Sequence, residues 1–119
     1  MRRVPADYPI PEAFTVRTEQ HGDAAVVVPT GELDLATAPA LEDALQQGFD
    51  GDAGRVVLDL RELEFIDSSG LRTLLTARRS ADTARKPFSL VAGHRGLERT
   101  LEIAGVHKVF DWTPAEELA

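Results

Sequence analysis

Residues 55–60 have the sequence RVVLDL, a short apolar run of mostly branched side chains that follows the turn sequence GDAG. Such a run is typical of a strand that is buried on both faces of a sheet. A similar run, AAVVV at residues 24–28, follows a Gly22-Asp23 break, and apolar residues at helical spacing lie between the two runs. A strand, a helix and a strand in succession predict a right-handed crossover between parallel strands. This order of elements indicates an α/β fold.

Three helices are predicted in all. The first has Thr37 as a candidate N-cap, Pro39 in its first turn and a length of about 11 residues. The second begins at residues 67–70, DSSG, and the third ends at Gly105, a candidate left-handed cap. The residues that mark the three helices recur at helical spacing: Leu41, Ala44, Leu45, Gly48 and Phe49; then Leu71, Leu74 and Leu75; then Leu97, Leu101 and Ala104.

Further strands flank this central unit. Residues 14–17 alternate apolar and polar side chains, which predicts a hairpin with residues 24–28. The sequence FSLVA at residues 88–92 predicts another strand, residues 109–110 a short last strand, and residues 113–119 at most a marginal helix. We therefore predict a mixed sheet of four to five strands with an N-terminal hairpin and parallel strand-helix-strand crossovers.

The length and the prolines define the domain organisation. A chain of 119 residues with 43% apolar residues is sufficient for one ordinary domain, whereas two cores would leave each half near the lower limit for folding alone. Pro5, Pro9 and Pro11 disfavour both helix and central strand near the start. We predict an N-terminal tail or arm at residues 1–12 and one domain at residues 13–119.

The composition excludes several classes of function. Thirteen Lys and Arg against 20 Asp and Glu give a net charge of −7, which repels nucleic acid and anionic membrane surfaces and favours a basic partner surface. The chain has no cysteine, which excludes disulfides, thiolate metal sites and a cysteine nucleophile. It has neither a long apolar run nor a secretory signal pattern, so we expect a cytoplasmic protein.

The sequence contains no recognisable catalytic motif. It lacks a phosphate-binding glycine loop with its lysine, a His-Glu-x-x-His pair and a Gly-x-Ser-x-Gly elbow, so we predict no catalytic residue, metal or cofactor. His21, His94 and His107 are scattered and are interpreted as solvated or locally hydrogen-bonded imidazoles.

Two segments between a strand and a helix are better candidates for a functional site. They are residues 31–37, GELDLAT, and residues 65–71, FIDSSGL. If the preceding strands are parallel neighbours, both segments emerge at the carboxyl edge of the sheet, where sites in open α/β sheets usually form. Helix capping explains Asp67 or one serine, but not two adjacent hydroxyls beside a carboxylate.

The chain resembles a stand-alone STAS domain of the bacterial anti-sigma factor antagonist family from about Phe14 to its C-terminus. Three segments carry the resemblance: TGELD at residues 30–34 with Thr37, VVLDL at residues 56–60 followed by FIDSSGL, and the stretch from Leu97 through Gly105 to Phe110. The resemblance implies a STAS fold and a non-enzymatic partner switch that regulates transcription.

The resemblance also implies partners and site residues. An anti-sigma factor that is a serine kinase would bind the unphosphorylated chain and free its sigma factor, phosphorylation of Ser68 would end the binding, and a phosphatase would restore it. The implied partner-binding residues are Asp34, Thr37, Asp67, Ser68, Ser69 and Gly70. A monomer or weak dimer is expected.

A physical argument supports this role for Ser68. A serine in the first turn of a helix can carry a phosphate near free backbone N–H groups at the positive end of the helix dipole. Three alternatives remain: a STAS subunit of a lipid-transport ATPase complex without a phosphoswitch, a serine hydrolase using Ser68 with His94, and nucleotide binding at the Asp34 and Ser68 edge.

Overall fold

The computed structural model describes residues 14–118, so the predicted tail at residues 1–12 lies outside the described residues. Nine regular elements follow one another within the described part of the chain. They are β1 (Thr15–His21), β2 (Ala24–Leu33), α1 (Ala38–Asp50), β3 (Arg55–Asp59), β4 (Leu63–Ile66), α2 (Ser68–Ala84), β5 (Phe88–Val91), α3 (Arg95–Ile103) and β6 (Asp111–Trp112). Single 3₁₀ turns occupy His107–Val109 and Ala115–Leu118.

The strands form one mixed sheet in the order β1-β2-β3-β5-β6, and β4 pairs with the C-terminal part of β2. β1 is antiparallel to β2, and His21 pairs with Ala24 across a two-residue turn in which Gly22 has a φ of +59°. All other pairs are parallel. The predicted α/β fold with an N-terminal hairpin and parallel crossovers is therefore confirmed.

The number of strands differs from the prediction, because the described sheet has six strands instead of four to five. β4 is the additional strand. The predicted last strand at residues 109–110 is wrong, because Val109 belongs to a 3₁₀ turn and the strand is Asp111–Trp112, which pairs with β5. Phe110 packs into the core from between these two elements. The apolar side chain of Phe110 therefore indicates a buried residue and not a strand residue.

Both faces of the sheet are buried, as predicted for residues 24–28. Val27 packs on the helix side with residues such as Leu41 and Leu74, whereas Val26 and Val28 pack on the opposite face. That opposite face is covered by the C-terminal 3₁₀ turn through Leu118. The C-terminal segment, predicted as at most a marginal helix, thus completes the second layer of the core.

The end of α3 confirms the predicted left-handed cap. Gly105 has a φ of +74°, and its N–H donates to the carbonyl of Glu102. The N–H of Val106 donates to the carbonyl of Leu101, which completes a Schellman motif.

Candidate functional site

The two candidate segments meet because β2 and β4 are parallel neighbours. Leu33 pairs with Ile66, and the N–H of Asp67 donates to the carbonyl of Leu33 at 3.2 Å. Asp34 and Asp67 each follow these paired residues directly, so both carboxylates lie at the carboxyl edge of the sheet. The sequence prediction that the segments emerge at one edge is confirmed.

The segment around Asp34 is a turn closed by its own side chains. Oδ1 of Asp34 accepts hydrogen bonds from the N–H groups of Ala36 at 3.0 Å and Thr37 at 3.1 Å. The hydroxyl of Thr37 donates to the carbonyl of Glu32 at 2.8 Å and accepts from the N–H of Asp34 at 2.9 Å. Asp34 and Thr37 therefore hold the turn in one shape and anchor it to the end of β2.

Thr37 stands at the N-cap position of α1, as predicted, but its side chain makes no cap hydrogen bond. The predicted capping role is wrong because its hydroxyl already bonds to Glu32 and Asp34. Pro at the start of α1 reduces the need for a cap, since it lacks an N–H. α1 has 13 residues, two more than expected.

The segment around Ser68 is a capped helix start. Asp67 is the N-cap of α2, and its Oδ1 accepts from the N–H of Gly70 at 3.0 Å. Ser68 is the first residue of α2 and is exposed, while Ser69 is half-buried. The hydroxyl of Ser68 makes no hydrogen bond within the part of the chain that the structure describes. Ser68 thus offers a free hydroxyl at the positive end of a 17-residue helix.

Gly70 explains how α2 comes so close to the strand ends. It is buried, and a Cβ at this position would lie 2.5 Å from Cγ1 of Ile66 and 3.0 Å from Cγ of Leu33. No larger residue fits without displacing those side chains. The structure therefore brings Asp34, Thr37, Asp67, Ser68 and Ser69 to one edge and places Gly70 beneath them in the interior.

A β-bulge lies in β4, the strand that precedes Ser68. Gly31 pairs with Leu63 but Glu32 pairs with Phe65, so Glu64 is an extra residue opposite the Gly31-Glu32 step of β2. In a regular strand Leu63 and Phe65 would share one face. With the bulge, Leu63 and Ile66 are buried and Phe65 is exposed. Phe65 is a feature of this edge that sequence reasoning missed, since an apolar residue in a strand is expected to face the core.

His94 fixes this bulge to the neighbouring helix. Its Nε2–H donates to the carbonyl of Glu64 at 2.9 Å, and its Nδ1 accepts from the N–H of Leu97 at 3.2 Å as the N-cap of α3. The interpretation of His94 as a locally hydrogen-bonded imidazole is confirmed. Because both ring nitrogens are engaged, His94 has no free nitrogen to act as a general base for Ser68.

The edge is acidic. Residues 31–40 and 63–71 contain Glu32, Asp34, Glu64 and Asp67 but no Lys or Arg. On one flank, Arg17 of β1 donates two hydrogen bonds to Glu62, at 3.0 and 2.6 Å, and Thr30 donates a third at 3.1 Å. The hydrogen bonds from Arg17, and to a smaller extent the one from Thr30, lower the pKa of Glu62 to about 2. Arg17 also donates to Glu19 at 2.6 Å, and its hydrogen bonds to Glu62 and then to Glu19 raise the pKa of Arg17.

Over residues 14–118, no group of three or more His, Cys, Asp or Glu side chains is arranged to hold a metal ion. None of the helices described there has the length and hydropathy needed to cross a membrane.

Known proteins are similar to this chain in sequence and in fold. A family model described as "Mlab, STAS domain" matches residues 16–111. The anti-sigma-F factor antagonist RsfB of Mycobacterium tuberculosis is 33% identical over 100 residues, which cover 84% of this chain and 81% of RsfB. The crystal structure of an anti-sigma factor antagonist from Mycobacterium paratuberculosis has a TM-score of 0.78 at 30% identity and covers 91% of this chain and 92% of its own.

A more distant protein shares the fold alone. The Bacillus cell fate determinant SpoIIAA in its phosphorylated form has a TM-score of 0.63 at 19% identity, over 88% of this chain and 95% of its own. The segments that bear the resemblance in the sequence, including the one that ends in Leu71, lie within the matched residues. The chain belongs to the STAS-domain family of anti-sigma factor antagonists.

Proposed function

We propose that this protein binds an anti-sigma factor kinase, so that a sigma factor is released, and that phosphorylation of Ser68 ends the binding. The names of RsfB and of the M. paratuberculosis relative support an anti-sigma factor as the class of partner. The observation that carries the proposal is the free, exposed hydroxyl of Ser68 at the first position of α2, beside Asp67 and at the same edge as Asp34. The chain acts as ligand and substrate, not as an enzyme, and works in the cytoplasm.

Ser68 suits the acceptor role better than Ser69. Ser68 is exposed, so a kinase can reach its hydroxyl without unfolding the helix. Ser69 is half-buried, and its carbonyl accepts a hydrogen bond from the Thr73 hydroxyl at 3.2 Å. A phosphate on Ser68 meets first-turn N–H groups that have no partner inside the helix. The modification therefore leaves the fold intact, which agrees with a phosphorylated SpoIIAA of this fold.

The proposed switch is a local change in charge. The γ-phosphoryl group of ATP moves to Oγ of Ser68, the hydroxyl proton is lost, and ADP leaves the kinase. The phosphate adds about 1.5 to 2 negative charges at neutral pH. These charges appear at an edge that already holds Asp34 and Asp67.

The size of this change is adequate for a switch. A shift from 99% bound to 1% bound needs roughly 5.5 kcal/mol of differential affinity for a partner at fixed concentration. A partner surface that accepts a neutral hydroxyl would have to bury the unpaired phosphate, which costs several kcal/mol. Hydrolysis of the phosphoserine by a phosphatase releases inorganic phosphate and restores the binding form.

Phosphorylation by the purified cognate kinase tests the acceptor. Wild type, Ser68→Ala and Ser69→Ala are incubated with ATP, and incorporated phosphate is located by mass spectrometry of the peptide that spans the two serines. We expect Ser69→Ala to be labelled and Ser68→Ala to remain unlabelled. Labelling of Ser68→Ala at the wild-type rate would remove Ser68 as the acceptor. A transporter ATPase recovered with the tagged full chain, in place of a kinase, would favour the lipid-transport alternative.

A further inference from the structure

We infer that Leu35 and Phe65 are the apolar anchors through which this edge binds its anti-sigma factor, and this inference rests on the proposed function. Four large apolar side chains are strongly exposed among residues 14–118: Leu35 at 77%, Phe65 at 50%, Ile103 at 76% and Val109 at 38%. Leu35 directly follows Asp34, and Phe65 precedes Asp67 by two residues. Leu35 lies in the turn that follows β2, and Phe65 lies in β4. Two of the four therefore belong to the two parallel strands that lead to the edge of Asp34 and Asp67.

The exposure of Phe65 is built into the backbone. The extra residue Glu64 turns Phe65 away from the core, and Gly31 opposite the bulge has a φ of +106°, which a side-chain-bearing residue rarely adopts. His94 holds the carbonyl of Glu64 in place. β-Bulges re-aim side chains next to functional sites, and here the side chain that is re-aimed is a phenylalanine. The positive φ of Gly31 and the hydrogen bond from His94 thus both stabilise the bulge that exposes the ring of Phe65.

The charges around the anchors define the occupant. Along the chain, Leu35 is flanked by Glu32 and Asp34 and Phe65 by Glu64 and Asp67, and residues 31–40 and 63–71 contain no Lys or Arg. The matching surface is an apolar cleft with Lys or Arg at its rim. A second copy of this chain matches poorly, because a two-fold interface would set these acidic residues against the same acidic residues. We therefore assign the face to the anti-sigma factor.

The anchors connect binding to the switch. Large aromatic and aliphatic side chains that fill partner pockets carry most of the affinity in many interfaces, while neighbouring residues exclude water. Ser68 is three residues further along the chain from Phe65, so we expect a partner that binds Leu35 and Phe65 to cover Ser68 as well. A phosphate on Ser68 is then desolvated by an interface whose affinity comes from Leu35 and Phe65.

The experiment compares three substitutions of exposed apolar residues in the full chain. Leu35→Ser, Phe65→Ser and the control Ile103→Ser are titrated against the purified cognate anti-sigma factor, with dissociation constants measured by calorimetry. We expect affinity to fall about 30-fold or more for Phe65→Ser and at least about tenfold for Leu35→Ser, as for interface hot spots. Ile103→Ser should stay within about twofold of wild type. Melting temperatures should remain near that of wild type, and Leu35, which lies in a turn, tests the proposal even if Phe65→Ser folds poorly.

The outcomes separate the two claims. If the wild type binds and the loss of affinity in Leu35→Ser and Phe65→Ser is no larger than in Ile103→Ser, the two residues are not anchors. The proposed function would then still stand. Failure of the unphosphorylated wild type to bind the anti-sigma factor would overturn the proposed function and the anchors together. A wild-type dimer in sedimentation velocity that Phe65→Ser dissociates would assign the face to a second copy and overturn the inference.

Discussion

The turns that lead into α1 and α2 share their ingredients but use them differently. Each has an aspartate directly after a strand of the same edge, followed by a hydroxyl side chain. Before α1, the hydroxyl of Thr37 is consumed by hydrogen bonds to Glu32 and Asp34. Before α2, Asp67 caps the helix alone and the hydroxyl of Ser68 remains free. One turn is a rigid support and the other is an accessible site, because the fold uses the hydroxyl of Thr37 for hydrogen bonds and does not use that of Ser68.

Among substitutions in these two turns, the largest loss of stability is expected at Gly70, where α2 approaches the strand ends. In Gly70→Ala the new methyl group would lie 2.5 Å from Ile66 and 3.0 Å from Leu33, so these side chains must move. We expect the free energy of unfolding to fall by about 1–3 kcal/mol, the usual cost of overpacking. Urea denaturation measures this loss. Ser69→Ala in the same helical turn is the control and should change the free energy by less than about 0.5 kcal/mol.

A smaller effect is expected when the two aspartates are compared. Asp67→Ala removes the cap of α2 and should lower the free energy of unfolding by about 1 kcal/mol. Asp34→Ala removes the two hydrogen bonds from backbone N–H groups and the contact with the Thr37 hydroxyl, and it should cost a similar amount. The corresponding Asn variants keep an acceptor oxygen and should retain wild-type stability to within about 0.5 kcal/mol.

The Asn variants also isolate the role of charge. Because Asp34→Asn and Asp67→Asn remove one negative charge each without loss of the turn, we expect slower association with a basic partner and a weaker dependence on salt. Stopped-flow association at two ionic strengths measures both. Asn variants as unstable as the Ala variants would show that the carboxylate charge, and not its acceptor oxygen, holds these turns.

The smallest effect is expected at Glu62, whose carboxylate is paired with the guanidinium of Arg17. Because the hydrogen bonds from Arg17 and Thr30 lower the folded pKa of Glu62 to about 2, Glu62 stabilises the fold above its unfolded pKa, and this contribution is lost as the pH falls from about 4.5 toward 2. The pair is solvent-exposed, so the effect is small and decreases with salt.

Urea titrations at pH 5 and pH 3 compare wild type with Glu62→Gln. The variant should show a shallower loss of stability between these two values, at low salt in particular. An equal loss in both proteins would mean that the Arg17 contact persists in the unfolded chain or contributes nothing.

The edge that holds Asp34 and Asp67 could be predicted because it depends on local patterns. Buried strand runs at residues 24–28 and 55–60, with a helix between them, permit one handedness of crossover. Polar residues after parallel strands must emerge at the same edge. The hydrogen bonds of Thr37 could not be predicted, because a threonine before a helix can bond to the helix or to the preceding strand, and the geometry of β2 selects the strand.

The bulge at Glu64 could not be predicted from the sequence pattern either. The letters LEFI at residues 63–66 suit a regular strand with Leu63 and Phe65 on one face. Pairing with β2 buries Leu63 and Ile66 instead. The extra residue is accommodated because Gly31 adopts a positive φ and because His94, 30 residues away in the chain, satisfies the carbonyl of Glu64.

The sequence by itself determined the α/β order, the hairpin, the segment that starts α2 and the acidic character of its edge, since each depends on residue periodicity, turn chemistry or charge. Only the tertiary structure decided that Leu33 pairs with Ile66, that Gly70 lies against both, and that Phe65 is exposed to solvent. These features depend on register between strands that are distant in the chain. A shift of a single residue in that register exchanges the buried and exposed faces of a strand, and the local sequence does not specify it.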